Sequence, residues 1–172
     1  TGMVTAIRNI ERCVEKAGLK VDDIVLEPIA SSLAVLTTEE KEVGVALLDI
    51  GGGTTDLAIF EEKTIRKTSV IAIAGKKVTD DIRRGLGILQ DQAEMLKVNY
   101  GAAHMSEIVQ DDPLLIPGIS GRAPKEVSRG TLCQIIQPRM EEILEIVRDE
   151  IQASGYGRNL SAGLVITGGG AM

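Results

Sequence analysis

Apolar positions along the chain follow two periods in turn. Val4, Ile7, Ile10, Val14 and Ala17 recur every three or four residues among Arg8, Glu11, Arg12, Glu15 and Lys16, which predicts an amphipathic helix over 3–17 that Gly18 ends. Ile24-Val25-Leu26 reads as a short strand stopped by Pro28, and 29–36 as a helix of small residues able to pack closely on a neighbour. The segment 37–42 is a polar connection. The period then shortens to two. Val45–Ile50 and Thr55–Phe60 flank Gly51-Gly52-Gly53, and 65–73 alternates after the turn Glu61-Glu62-Lys63-Thr64, so three strands on tight turns form a meander. Helical spacing returns at 75–85 and at 89–100, where Ala93, Leu96 and Tyr100 form the stripe. Segment 111–125 is irregular, broken by Pro113, Pro117 and Pro124, with short strands expected at 107–109 and 114–116. Thr131 reads as the cap of a helix that Pro138 ends, and Pro138 opens another over 140–153 with Ile143, Leu144, Val147 and Ile151 inward. Leu164–Thr167 is expected to be a buried strand closing in Gly168-Gly169-Gly170.

Composition narrows the class. A chain of 172 residues with 44% hydrophobic content can bury a sizeable core, but aromatics make up only 2%, so that core is aliphatic. Few aromatics also argue against single-strand nucleic-acid binding, which uses stacking platforms. Twenty-five acidic against 19 basic residues leave a formal charge of −6, which disfavours nucleic acid and anionic membrane as general partners. Cys13 and Cys133 stand alone and make neither a disulfide framework nor a metal cluster. No apolar run is long enough to span a bilayer and no signal peptide is visible, so the cytoplasm is the expected compartment.

The glycines carry the candidate chemistry. Three residues without Cβ between two strands let backbone approach a ligand closely and aim successive N–H groups at phosphate. Asp49, at the mouth of that turn, could hold a hydrated Mg²⁺ against the phosphates, and Thr54 adds a hydroxyl. A tight turn that binds nothing is the plainer reading of glycines alone. Glu94 and Lys97, three apart, share one helix face, and a surface ion pair is the commonest fate of such a couple. Glu27 stands at a predicted strand end, placed either to face a cleft or to sit in solvent. Gly168-Gly169-Gly170 offers the flat backbone against which an adenosine can lie.

Taken as a string, Asp49-Ile50-Gly51-Gly52-Gly53-Thr54-Thr55-Asp56 resembles the second phosphate loop of the actin-like ATPase superfamily, which includes actin, the chaperone ATPases, sugar kinases, MreB and FtsA. The match narrows further along the chain. Ala74-Gly75-x-x-Val78-Thr79-x-Asp81-Ile82 is similar to an FtsA stretch. So is Gly121-Arg122-x-Pro124 followed by Leu132-x-x-Ile135-Ile136-x-Pro138-Arg139. The resemblance to the FtsA family implies an α/β, actin-like (ribonuclease H-like) mixed sheet with flanking helices and an inserted smaller α+β subdomain. It implies that 1–42 end domain 1A and its connecting helix, that 43–74 and 131–172 form an incomplete domain 2A, and that 75–130 form 2B. The implied cofactors are ATP and Mg: Gly51, Gly52, Gly53 and Thr54 on the phosphates, Asp49 on the metal through water, Glu94 on the ribose, Lys97 along the adenine, and Gly168, Gly169 and Gly170 against the adenosine. Glu27 would position the attacking water.

The implied parent polymerises as a filament and ties the FtsZ ring to the cytoplasmic membrane at the division site. The acidic FtsZ C-terminal tail would meet Arg122, Lys125, Arg129 and Arg139. The likeness covers only part of an FtsA molecule. The first phosphate loop and the C-terminal amphipathic membrane helix are not in this sequence, so the chain reads as a fragment that binds ATP weakly and is inactive, its parent a weak ATPase at most. An MreB-type or pilus-assembly filament protein, and a binding module with a degenerate nucleotide site, are the alternatives.

Overall fold

The computed structural model describes residues 4–118, 121 and 123–172. Its centre is the run Val45–Ile50 (β1), buried throughout except at Asp49, as expected of a strand covered on both faces. Thr55–Glu61 (β2) returns antiparallel and Thr64–Ile71 (β3) completes the meander, while Leu164–Thr167 (β6) lies parallel to β1 on its other side. The strand order is β3-β2-β1-β6. Alternation divides the sheet into two faces. Ala46, Leu48, Ile50, Leu57 and Ile59 form one core with Ile143 and Val147, and Val45, Leu47, Ala58 and Phe60 form another with Leu36.

A second unit stands beside the sheet. Gly75–Leu86 (α4) and Gln90–Tyr100 (α5) pack over a small hairpin of Pro113–Ile116 (β4) and Lys125–Ser128 (β5), with Ile82, Leu96, Ile116 and Leu132 in its core. One helix, Arg129–Ala153 (α6), serves both units: Leu132 and Ile136 enter the small core, Ile143 and Val147 the sheet core, and Met140 packs against both.

The expected break at Pro138 does not occur; α6 runs 25 residues with the proline inside. A proline removes the hydrogen bond to the carbonyl four residues back, here that of Gln134. Both Pro138 and Gln134 are exposed, so water can take that carbonyl. The cap is Ser128, whose hydroxyl accepts from the Thr131 N–H at 3.1 Å; Thr131 lies inside the helix.

Other elements shift as well. The amphipathic helix forms over Val4–Lys16 (α1), yet none of its residues is buried. Ile24-Val25-Leu26 forms no strand and is exposed, because no strand among the described residues lies beside it. The next helix begins two residues early, at Glu27–Val35 (α2), with Pro28 in its first turn, where a missing N–H costs nothing. The polar connection contains a helix, Thr38–Val43 (α3), started by a capping box of Thr37 and Glu40. The segment 107–109 is no strand; a single 3-10 turn, Met105–Glu107, runs into its first residue. β6, expected to be buried, is half-exposed, since it forms the outer edge of the sheet among the described residues.

Candidate functional site

The two glycine corners meet. β1 ends at Ile50 and the chain turns through Gly51–Thr54, closed by Gly51 N–H donating to the Thr54 carbonyl at 2.9 Å. The first two N–H groups of α4, on Gly75 and Lys76, donate to the carbonyls of Gly51 and Gly52 at 3.0 and 2.8 Å. Those amides are orphans of the helix end, and Ala74 offers no side chain to cap them. The loop caps α4 instead. Gly75 permits this approach, because a Cβ there would stand 3.2 Å from the Gly51 oxygen. On the other side β6 delivers Gly168 at φ +86, then a 3-10 turn over Gly169–Ala171. A Cβ on Gly168 would collide with Asp49 Oδ1 and the Ile50 carbonyl, and one on Gly170 with the Ile50 side chain. Close packing of backbone on β1 therefore requires these two glycines.

Between the corners lies a cavity of about 480 Å³. Gly51, Gly52 and Gly75 form one wall, Gly169 and Gly170 another, and Glu94 and Lys97 a third. The rest of the lining is apolar or small: Val78, Ile136 and Met140, and the stretch Gly101-Ala102-Ala103 that follows α5. A larger groove of about 800 Å³ lies elsewhere, between the second half of α6 and β6. It contains none of the predicted site residues.

Glu94 and Lys97 are more than a surface couple. Lys97 Nζ donates to Glu94 Oε2 at 2.8 Å, to Thr79 Oγ1 at 3.0 Å and to the Gly75 carbonyl at 3.3 Å, one acceptor for each ammonium proton. The Thr79 hydroxyl also meets Glu94 Oε2. Both contacts fall on Oε2, so among the described residues Glu94 Oε1 keeps its acceptor capacity. The hydrogen bond from Lys97, then that with Thr79, hold the Glu94 carboxyl below its ordinary range against partial desolvation. Sequence reasoning names Thr79 only as part of a family-like stretch and gives it no role in the site, because its spacing four residues after Gly75 and fifteen before Glu94 gives no local signal of the contact. It passed over Gly101-Ala102-Ala103, legible only as a run without large side chains.

Asp49 does not line the cavity. Strand alternation turns it to the opposite face from Ile50, where Ser31 of α2 donates to its Oδ2 at 3.1 Å and Asp56 stands directly across on β2. Thr54 donates to Asp56 Oδ2 at 2.9 Å, and Gly53 projects into open space. Asp49 and Asp56 thus share one face, with the hydroxyls of Ser31 and Thr54 each bonded to one of the pair. The glycine turn is the rim between this face and the cavity. Glu27 begins α2 one turn before Ser31, hence on the same helix face. It is exposed and does not end a strand.

The predicted basic surface is partly engaged within the chain. Lys125 Nζ donates to the Leu86 carbonyl at 2.6 Å and Arg129 Nε to the Tyr100 carbonyl at 3.2 Å, cations on the C-termini of α4 and α5. Arg139 pairs with Asp81 at 2.6 Å and with Glu142, a contact that keeps its guanidinium firmly protonated. Arg122 lies outside the described residues.

Comparison with known proteins joins these features to a family. The family model "Cell division protein FtsA" matches residues 46–172, from β1 through the second glycine corner. The chain belongs to the FtsA family. An Hsp70 model matches the shorter span 7–77. Among FtsA relatives, that of Pseudomonas aeruginosa is 46% identical over 98% of this chain and 40% of its own length. That of Neisseria meningitidis is 43% identical over all of this chain and 42% of its own. The chain thus spans about two fifths of the FtsA relatives it matches. In fold it resembles MreB5 of Spiroplasma citri, solved bound to ADP (TM-score 0.78, 25% identity) and to AMPPNP (0.75, 27%). Each match covers 99% of this chain and 55% of that one. The actin-like mixed α/β fold follows. Among the described residues no helix is long and apolar enough to cross a membrane.

Proposed function

We propose that the cavity is the adenosine side of an ATP site and that the chain is part of a filament-forming cell-division protein of the FtsA kind. The observation that carries this reading is the convergence of Gly51–Gly52, Gly169–Gly170 and the Glu94/Lys97 pair on one 480 Å³ cavity. The residues present suit the group. The Cβ-free backbone at Gly52 and Gly169 leaves open space, with no atom within 4 Å of where a side chain would begin. Glu94 Oε1 can accept from ribose hydroxyls, and Lys97, its ammonium fully used, offers its aliphatic stem to a base. Likeness to MreB5 bound to ADP and AMPPNP supports the choice of nucleotide.

The phosphate end would run over Gly51–Thr54 toward the face that carries Asp49. Mg²⁺, which keeps most of its waters, would be held there by Asp49 and supply charge neutralisation to the phosphates. Glu27, on the α2 face that carries Ser31, would orient water. In this reading 1–42 belong to domain 1A, 43–74 and 131–172 to 2A, and 75–130 to 2B, with α6 as the beam joining 2A and 2B. The FtsZ tail, being acidic, would dock on the small unit. Lys125 and Arg129 are better anchors than Arg139, which Asp81 and Glu142 already hold, and Arg122 completes the predicted set. Filament assembly and attachment at the division site, on the inner face of the cell membrane, belong to the full-length protein.

Calorimetric titration of the full-length protein with MgATP, alone and then with an FtsZ tail peptide, tests the reading. Saturable ATP binding that Gly169→Val weakens at least about tenfold is expected, with tail binding weakened by Lys125→Ala plus Arg129→Ala. Absence of ATP binding in the folded wild type would overturn it.

A further inference from the structure

Among the described residues three polar side chains are buried: Ser32, Thr55 and Thr79. The first two satisfy backbone carbonyls, Ser32 that of Ile29 and Thr55 that of Ile73. Thr79 differs. Its hydroxyl lies 3.0 Å from the Gly75 carbonyl, within reach of the back-bond a helical threonine ordinarily makes. Its single proton goes instead to Glu94 Oε2, the nearer acceptor, while its oxygen accepts from Lys97 Nζ, which also donates to the Gly75 carbonyl. It is also well anchored: it sits one turn after the start of α4, whose Gly75 and Lys76 amides are bonded to the glycine turn.

We infer that Thr79 is a positioning residue for the cavity: together with Lys97 it holds Glu94 by one carboxylate oxygen, so that the other is presented to the vicinal hydroxyls of a sugar. This rests on the cavity being a nucleotide site. The chemistry needs Thr79 because the Glu94 side chain is half-exposed, at 50%, and with Lys97 as its sole partner would trade its two oxygens by rotation about the last carbon–carbon bond. A second contact on the same oxygen, from a buried group that cannot follow, stops the exchange.

The test compares ATP with 2′,3′-dideoxy-ATP on the full-length protein and on Thr79→Val, Thr79→Ala and Thr79→Ser. Wild type is expected to prefer ATP by about tenfold, the value of one hydrogen bond to a charged acceptor. Valine and alanine should erase the preference while dideoxy-ATP affinity stays within about twofold, and serine should restore it; alanine serves if valine does not fold. Without nucleotide, the Glu94 carboxyl followed by carbon-13 NMR should titrate higher in Thr79→Val than in wild type or Thr79→Ser. A wild type that binds both nucleotides equally, or a Thr79→Val or Thr79→Ala protein that keeps the preference, overturns the role of Thr79 and leaves the nucleotide cavity standing. A folded wild type that binds neither nucleotide removes both.

Discussion

A Cβ built on Gly170 runs into Ile50, whereas one built on Gly52 or Gly169 meets no atom within 4 Å. The same residue type is therefore present for two reasons, and substitution separates them. Gly168→Ala, strained at φ +86 and driven against Asp49 and Ile50, should lower stability by about 1–3 kcal/mol in urea melts. Gly52→Val and Gly169→Val should leave the melt within about 0.5 kcal/mol yet cut ATP affinity at least about tenfold, because their side chains occupy the space a ligand needs. Glu94 supplies a pH prediction. Its folded pKa is depressed, so its contribution to stability is complete above the ordinary glutamate value of about 4.3 and is lost as pH falls through the lower folded value. Glu94→Gln should therefore show a shallower fall of melting temperature on the acid side and no change in slope near neutrality. At this scale the sequence spoke through motif: both glycine triplets and the Glu94/Lys97 spacing were readable. Thr79 was not, because its contacts form only when α4 packs on α5. The direction of Asp49 was open too, since a period of two fixes it only once the face of Ile50 is known.

Among the elements, α6 holds the two units together and carries a proline at its middle. Removing the ring restores an N–H for the Gln134 carbonyl, so Pro138→Ala should stabilise the chain by about 1–3 kcal/mol, seen as a higher urea midpoint. A loss of stability would mean that a bend at Pro138 is needed for Met140 to reach both cores. The capping box before α3 gives the opposite sign: Thr37→Ala should cost about 1 kcal/mol. β1 and β2 were legible as apolar runs buried on both faces, and α4 and α5 as helices that bury a stripe within the chain. Ile24–Leu26 shows the limit, as an apolar run predicts a strand only where a partner strand is supplied. α3 was hidden by its polarity, although Thr37-x-x-Glu40 spelled its start. Pro138 misled because a helix tolerates proline where the orphaned carbonyl reaches water.

For the molecule as a whole, the sheet and the small unit form one rim around the cavity, while α2 packs on β1 and β2 and the segment 4–35 leaves several large apolar residues in solvent. Val4, Ile10, Leu26 and Leu33 are all more than half exposed, and large apolar side chains left in water favour association. The 172-residue chain by itself should therefore sediment as dimers or larger species, and Leu33→Lys with Ile10→Lys should return it to a monomer. The central claim, that corners more than a hundred positions apart close on one ligand, is tested most directly by a MgATP titration followed through amide shifts on glycine-labelled protein. The account predicts that Gly51, Gly52, Gly169 and Gly170 move together along one saturation curve with a single Kd. Movement of one corner while the other stays still, or two unrelated curves, would contradict it.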